Sequence, residues 1–301
     1  MLGLDTLLAP FTRNGRSHKA KAVVTGAGSG IGRAFALELA ARGGEVICAD
    51  IDKERAEETV RIIERVYGTT AHAFFCDVGR REDVESPALH AELIFKGPPS
   101  LVINNAGVGI GGKPVGSIGL DDWKWALDIN LWGVVYGCEL FTPQLRAAGR
   151  GGIINVASAA GFAAAPSMAA HNVSKAAVMS LSETMAAELS GTGVNVTVLC
   201  PTFVKTNVAK DGRITAKSSQ LADTLMRLTG FSPESVAKTT LDAHDKGKLY
   251  VLPQLDANLV WHLKRHFPAQ YAYGIGMLNR ILPQEDTAAA PAPSSTQKTG
   301  V

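Results

Sequence analysis

The sequence predicts an α/β fold: one domain built on a doubly wound parallel sheet with helices on both faces. Short apolar runs recur at 20–25, 45–49, 71–76, 101–103, 152–156, 194–199 and 249–252. Stretches with helical spacing of apolar residues lie between them. A glycine-rich turn, TGAGSGIG from Thr25 to Gly32, joins the first run to the first helical stretch. Strands alternating with helices imply a parallel sheet with right-handed crossovers. Ligands then bind beyond the carboxyl ends of the strands.

The first run holds Ala22, Val23 and Val24 and reads as a buried strand. The turn after it reads as a phosphate cradle. A helix N-terminus offers unpaired N–H groups and partial positive charge to an anion. Glycines let the backbone approach a pyrophosphate. Gly26, Gly30 and Gly32 form G-x-x-x-G-x-G, and the commoner G-x-G-x-x-G does not fit from Gly26 or Gly28 because Ile31 and Arg33 fall on its last position. Gly26, Ser29, Gly30, Ile31 and Gly32 are the expected cradle residues.

Residues 33–42 and 53–66 have helical spacing with charge on the outer face, and Asp52 is a candidate N-cap for the second. Asp50 ends the second strand, eighteen residues after Gly32. A carboxylate there can accept hydrogen bonds from ribose hydroxyls and repel a 2′-phosphate, which favours NAD over NADP. Asp77 and Val78 close the third strand, where an adenine ring could be met. Asn104, Asn105, Ala106 and Gly107 close the fourth, where paired amides can tie backbone across strand ends and small residues leave room for a cofactor. Two longer helical stretches, 123–145 and 168–189, follow, and nothing divides 20–252 into two domains.

The 301 residues are 46% hydrophobic, enough for a sizeable core, and the net charge of +2 gives no reason to expect nucleic acid. Cys48, Cys76, Cys138 and Cys200 form no C-x-x-C and read as buried reduced thiols of a cytoplasmic protein. No stretch of eighteen apolar residues suggests a spanning helix. Residues 1–18 lack the order of a secretory signal and read as an N-terminal arm; 19–254 are the expected dinucleotide-binding and catalytic domain, 255–284 a helical extension, and 285–301 a disordered tail.

These motifs resemble the short-chain dehydrogenase/reductase family in order and spacing. TGAGSGIG, Asp50, Asp77-Val78, Asn104 to Gly107, Asn130 in NLWG, Ser158 in VASAAG and Lys175 in SKAA carry the match, which covers roughly 21–208. The resemblance implies a Rossmann-like, oligomeric oxidoreductase that moves hydride between a nicotinamide and an alcohol or ketone. It implies that Ser158 bonds the substrate oxygen and that Lys175 holds the nicotinamide ribose and lowers the pKa of the acid/base. It implies that Asn130 holds a relay water. Pro201, Val204 and Thr206 would meet the nicotinamide, with Thr202 standing where the family has glycine. A β-branched residue takes positive φ only with difficulty, which questions that loop. Ser29 stands where NADP binders are often basic.

The family's acid/base is a tyrosine thirteen residues after the serine, and here that position is His171. His171 and Lys175 share a helix face at i,i+4. An imidazole falls roughly 2 Å short of a tyrosine oxygen, a gap a water can bridge. The lysine cation disfavours imidazolium and lowers the histidine pKa. Three readings stay open: a working alternative acid/base, a natural cofactor binder or scaffold without fast turnover, and a weakened variant of a tyrosine enzyme.

Residues 207–231 read as a variable substrate loop whose Leu221, Leu225, Met226 and Leu228 suggest an apolar face, either a lid or ordinary packing. A hydrophobic secondary alcohol or ketone is the expected substrate. In 255–282, Pro268, Gly274 and Gly276 argue against one continuous helix. Intramolecular or subunit packing is expected there, with peripheral membrane contact the less favoured alternative. His262 and His266 have ligand-like spacing but no third partner, so no metal is expected.

Overall fold

The computed structural model describes residues 15–206 and 212–281. All seven expected strands form one parallel sheet: β1 (Lys21–Thr25), β2 (Glu45–Asp50), β3 (Ala71–Phe75), β4 (Leu101–Asn104), β6 (Gly151–Val156), β7 (Val194–Leu199) and β9 (Tyr250–Val251). Their spatial order is β3-β2-β1-β4-β6-β7-β9. The order reverses direction between β1 and β4, so the carboxyl ends of those strands border the switch-point crevice. Two two-residue strands, β5 (Ile110–Gly111) and β8 (Arg213–Ile214), pair outside this sheet and tie the segment after β4 to the segment after β7. Sequence periodicity does not foresee elements this short.

The helices are α1 (Gly30–Ala41), α2 (Lys53–Tyr67), α3 (Arg81–Ile94), α4 (Leu120–Leu127), α5 (Gly133–Ala148), α6 (Ala160–Ala163), α7 (Ala169–Glu188), α8 (Ala216–Thr229), α9 (Pro233–Asp245), α10 (Leu255–His266) and α11 (Pro268–Ile281). Asp52 caps α2 by accepting from the Arg55 N–H at 3.1 Å. The stretch expected as one helix at 123–145 is two helices, joined through a π-helical turn, Asp128–Trp132, that carries Asn130. The extension also forms two helices. The break falls at Pro268, which starts α11, while Gly274 and Gly276 lie inside that helix.

Both sheet faces are covered, so alternate strand residues enter different cores. Ala22, Val24, Val46 and Cys48 pack with Phe35 and Leu39 of α1 and Val236 and Leu241 of α9. Val23, Ile47, Val102 and Ile153 pack with Phe141 and Leu145 of α5 and Val178 of α7. All four cysteines are buried and unbridged, and burial pushes each thiol up to about 12.

At the N-terminal side, Ser17 donates from its backbone and hydroxyl to Asp245 at 2.8 and 2.6 Å. Arg42 joins them, donating to the Ser17 hydroxyl and pairing with Asp242 at 2.6 Å. The rest of the expected arm (1–14) and the expected tail (285–301) lie outside the described residues.

Candidate active site

The glycine turn is wound tightly between β1 and α1. Gly26 and Gly30 have φ of +66° and +52°. A Cβ on Gly32 would stand 2.0 Å from the Gly26 carbonyl oxygen and 2.5 Å from Asn105 Nδ2, so only hydrogen fits. The Ala27 N–H donates to the Ala49 carbonyl and the Gly28 N–H to Asp50 Oδ2, at 3.1 and 2.7 Å. Helix geometry leaves the first-turn N–H groups of α1, from Gly30 onward, without intrahelical acceptors. The chain therefore presents the backbone donors that a diphosphate requires.

Asp50 sits at this cradle, and its second oxygen accepts from the Asp52 N–H at 2.9 Å. Two arginines stand close by that sequence reasoning left out. Arg33 donates to the Gly28 carbonyl and pairs with Glu58, and Arg55 pairs with Asp52 at 3.1 Å.

Asn104 and Asn105 divide their work in a way the sequence reading did not foresee. Asn105 holds the cradle: Nδ2 donates to the Thr25 carbonyl at 2.9 Å, and its N–H and that of Ala106 both donate to Thr25 Oγ1, at 3.0 and 3.1 Å. The Asn104 side chain turns inward instead and donates to Asn155 Oδ1 at 2.9 Å. Asn104 extends β4, two residues after Val102, so pleat parity turns it to the same sheet face as Val102, the one covered by α5 and α7. Val78 is likewise core, packed with Ala49, Cys76 and Val84, and Asp77 Oδ1 accepts from the Gly79 N–H at 3.0 Å.

Four elements converge beyond β4. A Cβ on Gly107 would lie 2.9 Å from Asn130 Oδ1 and 3.3 Å from Lys175 Nζ. Asn130 is fully buried; Oδ1 accepts from the Val108 N–H at 2.8 Å, and Nδ2 donates to the Val108 carbonyl at 3.0 Å. Lys175 on α7 donates to the Val156 carbonyl at 2.9 Å. Its burial brings the ammonium down to about 8, with Cys200 opposing.

His171 lies one turn before Lys175 on α7, partly exposed, with Nδ1 buried and lacking a hydrogen-bond partner among the described residues. Burial pushes the imidazole down to about 4; Lys175 adds to this, and a backbone hydrogen bond to Val108 opposes it. The expected direction holds, but desolvation is a larger cause than the lysine charge.

Ser158 follows β6 and precedes α6. Its hydroxyl accepts from the Ala160 N–H at 3.1 Å and donates to the Pro201 carbonyl at 3.4 Å. Gly161 lets α6 touch α7, since a Cβ there would meet the Lys175 carbonyl carbon at 2.8 Å. Ala164 and Ser167 take left-handed φ of 51° and 59° in the bend that leads to α7.

The loop after β7 accommodates Thr202 without positive φ. Gln254, nearly fully buried, fixes it: Oε1 accepts from the Thr202 N–H at 3.2 Å, and Nε2 donates to the Phe203 carbonyl at 3.1 Å. Nothing local in the sequence marks Gln254 for this task. Val204 bridges to Phe231, and Thr206 Cγ2 would lie 3.1 Å from a Cβ on Gly30. A cavity of ≈ 450 Å³ opens there, lined by Gly30, Thr206, Lys205, Met226 and Arg227 among others. On α8, Met226 is buried, Leu225 half-buried and Leu221 exposed, so the expected apolar face is only partly used. Residues 207–211 and the Leu228 side chain lie outside the described residues.

Residues 20–217 match the family model described as short chain dehydrogenase. The chain is 34% identical over 273 residues to the probable oxidoreductase EphD of Mycobacterium tuberculosis, covering 87% of this chain but only 43% of that protein. It is 30% identical over 260 residues to the C alpha-dehydrogenase of a Sphingobium species, covering 82% of this chain and 84% of the other. A Burkholderia phymatum short chain dehydrogenase/reductase, crystallised in complex with NAD, superposes with a TM-score of 0.73 at 29% identity, covering 89% of this chain and 97% of that one. By its matched residues, its sheet order and its glycine cradle, the chain belongs to the short chain dehydrogenase family.

Proposed function

We propose that the protein is an NAD-dependent oxidoreductase acting on a hydrophobic secondary alcohol or its ketone. The observation that carries this reading is the convergence of Asn130 Oδ1 and Lys175 Nζ on Gly107, beside the carboxyl ends of β4 and β6. A bound nicotinamide supplies the hydride acceptor or donor. Gly26, Ser29, Gly30, Ile31 and Gly32 hold the diphosphate through backbone donors. Asp50 takes the ribose hydroxyls, and its charge selects NAD. Backbone at Asp77, Val78, Asn104, Ala106 and Gly107 lines the adenine and ribose, and Pro201, Val204 and Thr206 the nicotinamide end. Residues 19–254 supply this site, and the working form is a homo-oligomer. Four buried, unbridged thiols support a cytoplasmic location.

Ser158 orients the substrate oxygen and His171 takes its proton, directly or through one water. An imidazole brought to about 4 is neutral at ordinary pH, the form a base needs. The imidazolium that ketone reduction would need is scarce above pH about 5. The reaction therefore runs better as alcohol oxidation. A cofactor binder without turnover is the second reading, favoured by histidine standing at position 171, where the family has its tyrosine.

The test follows NADH absorbance in both directions from about pH 5 to 10, for wild type and His171→Tyr, with a panel of secondary alcohols and ketones. Oxidation exceeding reduction, and lost in the variant, supports histidine as the catalyst. A large gain in the variant identifies a weakened tyrosine enzyme. No turnover in either protein, with NADH bound, leaves the binder.

A further inference from the structure

Helices α10 and α11 carry apolar residues on the side away from the protein. Leu255, Leu259 and Leu263 recur at i, i+4 and i+8 and so share one face of α10. They are 87%, 62% and 41% exposed, and Phe267 just beyond them is 55% exposed. On α11, Tyr273 and Met277 share a face and are 72% and 47% exposed, with Leu278 also exposed.

A surface helix ordinarily has one apolar stripe, turned to the core. That stripe exists here: Ala257 is fully buried, and the Trp261 ring lies edge-on to Phe162 at 5.0 Å and near Tyr250 at 4.8 Å. The leucine ridge is a second stripe that the described residues leave uncovered. Scattered exposed apolar residues are normal, but a contiguous array marks an interaction surface.

Charge around the ridge indicates what covers it. Lys264 and Arg280 stand against a single carboxylate, Asp256, on these two helices, while Arg265 turns to the packed side, over the Trp261 ring at 4.0 Å and beside Glu183 at 4.0 Å. Asp256 accepts from the Thr202 hydroxyl and the Ala257 N–H, at 3.2 and 2.8 Å. A second copy on the same face would bring cation against cation, because a two-fold contact repeats the same patch on both sides. An anionic lipid surface complements both features: apolar side chains enter the headgroup layer, and basic ones meet the lipid charge.

We propose that α10 and α11 seat the protein peripherally on an anionic lipid bilayer. The seat adjoins the candidate active site. The Tyr271 hydroxyl donates to the Ala163 carbonyl at the end of α6 at 2.9 Å, and α6 starts two residues after Ser158. An apolar alcohol dissolved in the bilayer would reach that side of the protein. The docking itself does not depend on turnover at His171.

Flotation of the full chain with phosphatidylcholine vesicles, with and without phosphatidylserine, tests this. Wild type is expected to float with the phosphatidylserine vesicles, less so in high salt, and weakly with phosphatidylcholine alone. The double variant Leu259→Ser/Leu263→Ser removes exposed side chains only and should lower partitioning at least about tenfold. Lys264→Glu/Arg280→Glu should lower it by about tenfold or more on the phosphatidylserine vesicles alone. Unchanged thermal unfolding and NADH binding check that each variant is folded. Wild type failing to float overturns the proposal. So does a leucine variant that floats like wild type, which would assign binding to another segment such as the apolar residues 7–11. A leucine variant that loses a wild-type oligomer, with no flotation of either, would identify a second copy as the occupant.

Discussion

The Asn130 side chain closes a two-bond clasp on the Val108 backbone, accepting from its N–H at 2.8 Å and donating to its carbonyl at 3.0 Å. The same Val108 backbone opposes the lowering of the His171 pKa. Asn130 thus fixes the loop between β4 and β5 at Val108, whose backbone lies within electrostatic reach of His171. Asn130→Ala removes both bonds from the half-buried Val108 backbone, and a loss of about 1–3 kcal/mol is expected in urea unfolding. Asn130→Asp keeps the acceptor and loses the donor, so it should recover only part of that stability. Equal stability of all three proteins would show that the clasp contributes nothing.

Gly32 tests the cradle. A methyl group there would meet the Gly26 carbonyl oxygen at 2.0 Å, which is backbone and cannot swing aside. Gly32→Ala should cost about 1–3 kcal/mol of stability through overpacking. It should also weaken NADH at least tenfold, about 1.4 kcal/mol. Titration of the cofactor's fluorescence checks the second outcome, and wild-type affinity in the variant would remove the turn from the binding site.

Asp50 tests cofactor choice. Asp50→Asn keeps an oxygen acceptor for the Gly28 N–H while removing the charge that opposes a 2′-phosphate. Arg33 and Arg55 remain close by to attract one. The ratio of NADPH to NADH affinity should rise about tenfold or more. An unchanged ratio would place selectivity elsewhere.

Two histidines make stability depend on pH. His171 and His244 are each lowered to about 4, both chiefly by burial. Between about 4 and the unfolded value near 6.5, the unfolded chain binds more protons than the folded one. Stability therefore falls as pH drops through that window. His171→Tyr removes one of the two contributions, so its unfolding free energy should decline less steeply from pH 6.5 to 4. Identical slopes for variant and wild type would show that His171 protonates as easily folded as unfolded.

The seven sheet strands were legible because each is an apolar run bounded by polar turns or glycine. The helix carrying His171 and Lys175 was legible from its spacing. Asp52 was legible as a cap from its place just before the helical stretch 53–66. The interior was harder to read. One further residue in β4 gives Asn104 the parity of Val102, and that decides which asparagine holds the cradle. The π-helical turn at Asn130 has no local signal, since its residues have ordinary helix spacing. Helix α3 is obscured by Pro87 within it. Gln254 acts on Thr202 and Phe203 across fifty residues, a pairing that folding alone creates.

Calorimetric titration of the folded chain with NADH is the most direct measurement of the central claim, that a nicotinamide dinucleotide occupies the crevice between Gly32, Asp50 and Lys175. Saturable one-to-one binding, lost in Gly32→Ala, is the expected result. Absence of heat or saturation at millimolar NADH and NAD, in protein whose cooperative unfolding shows it is folded, would contradict it.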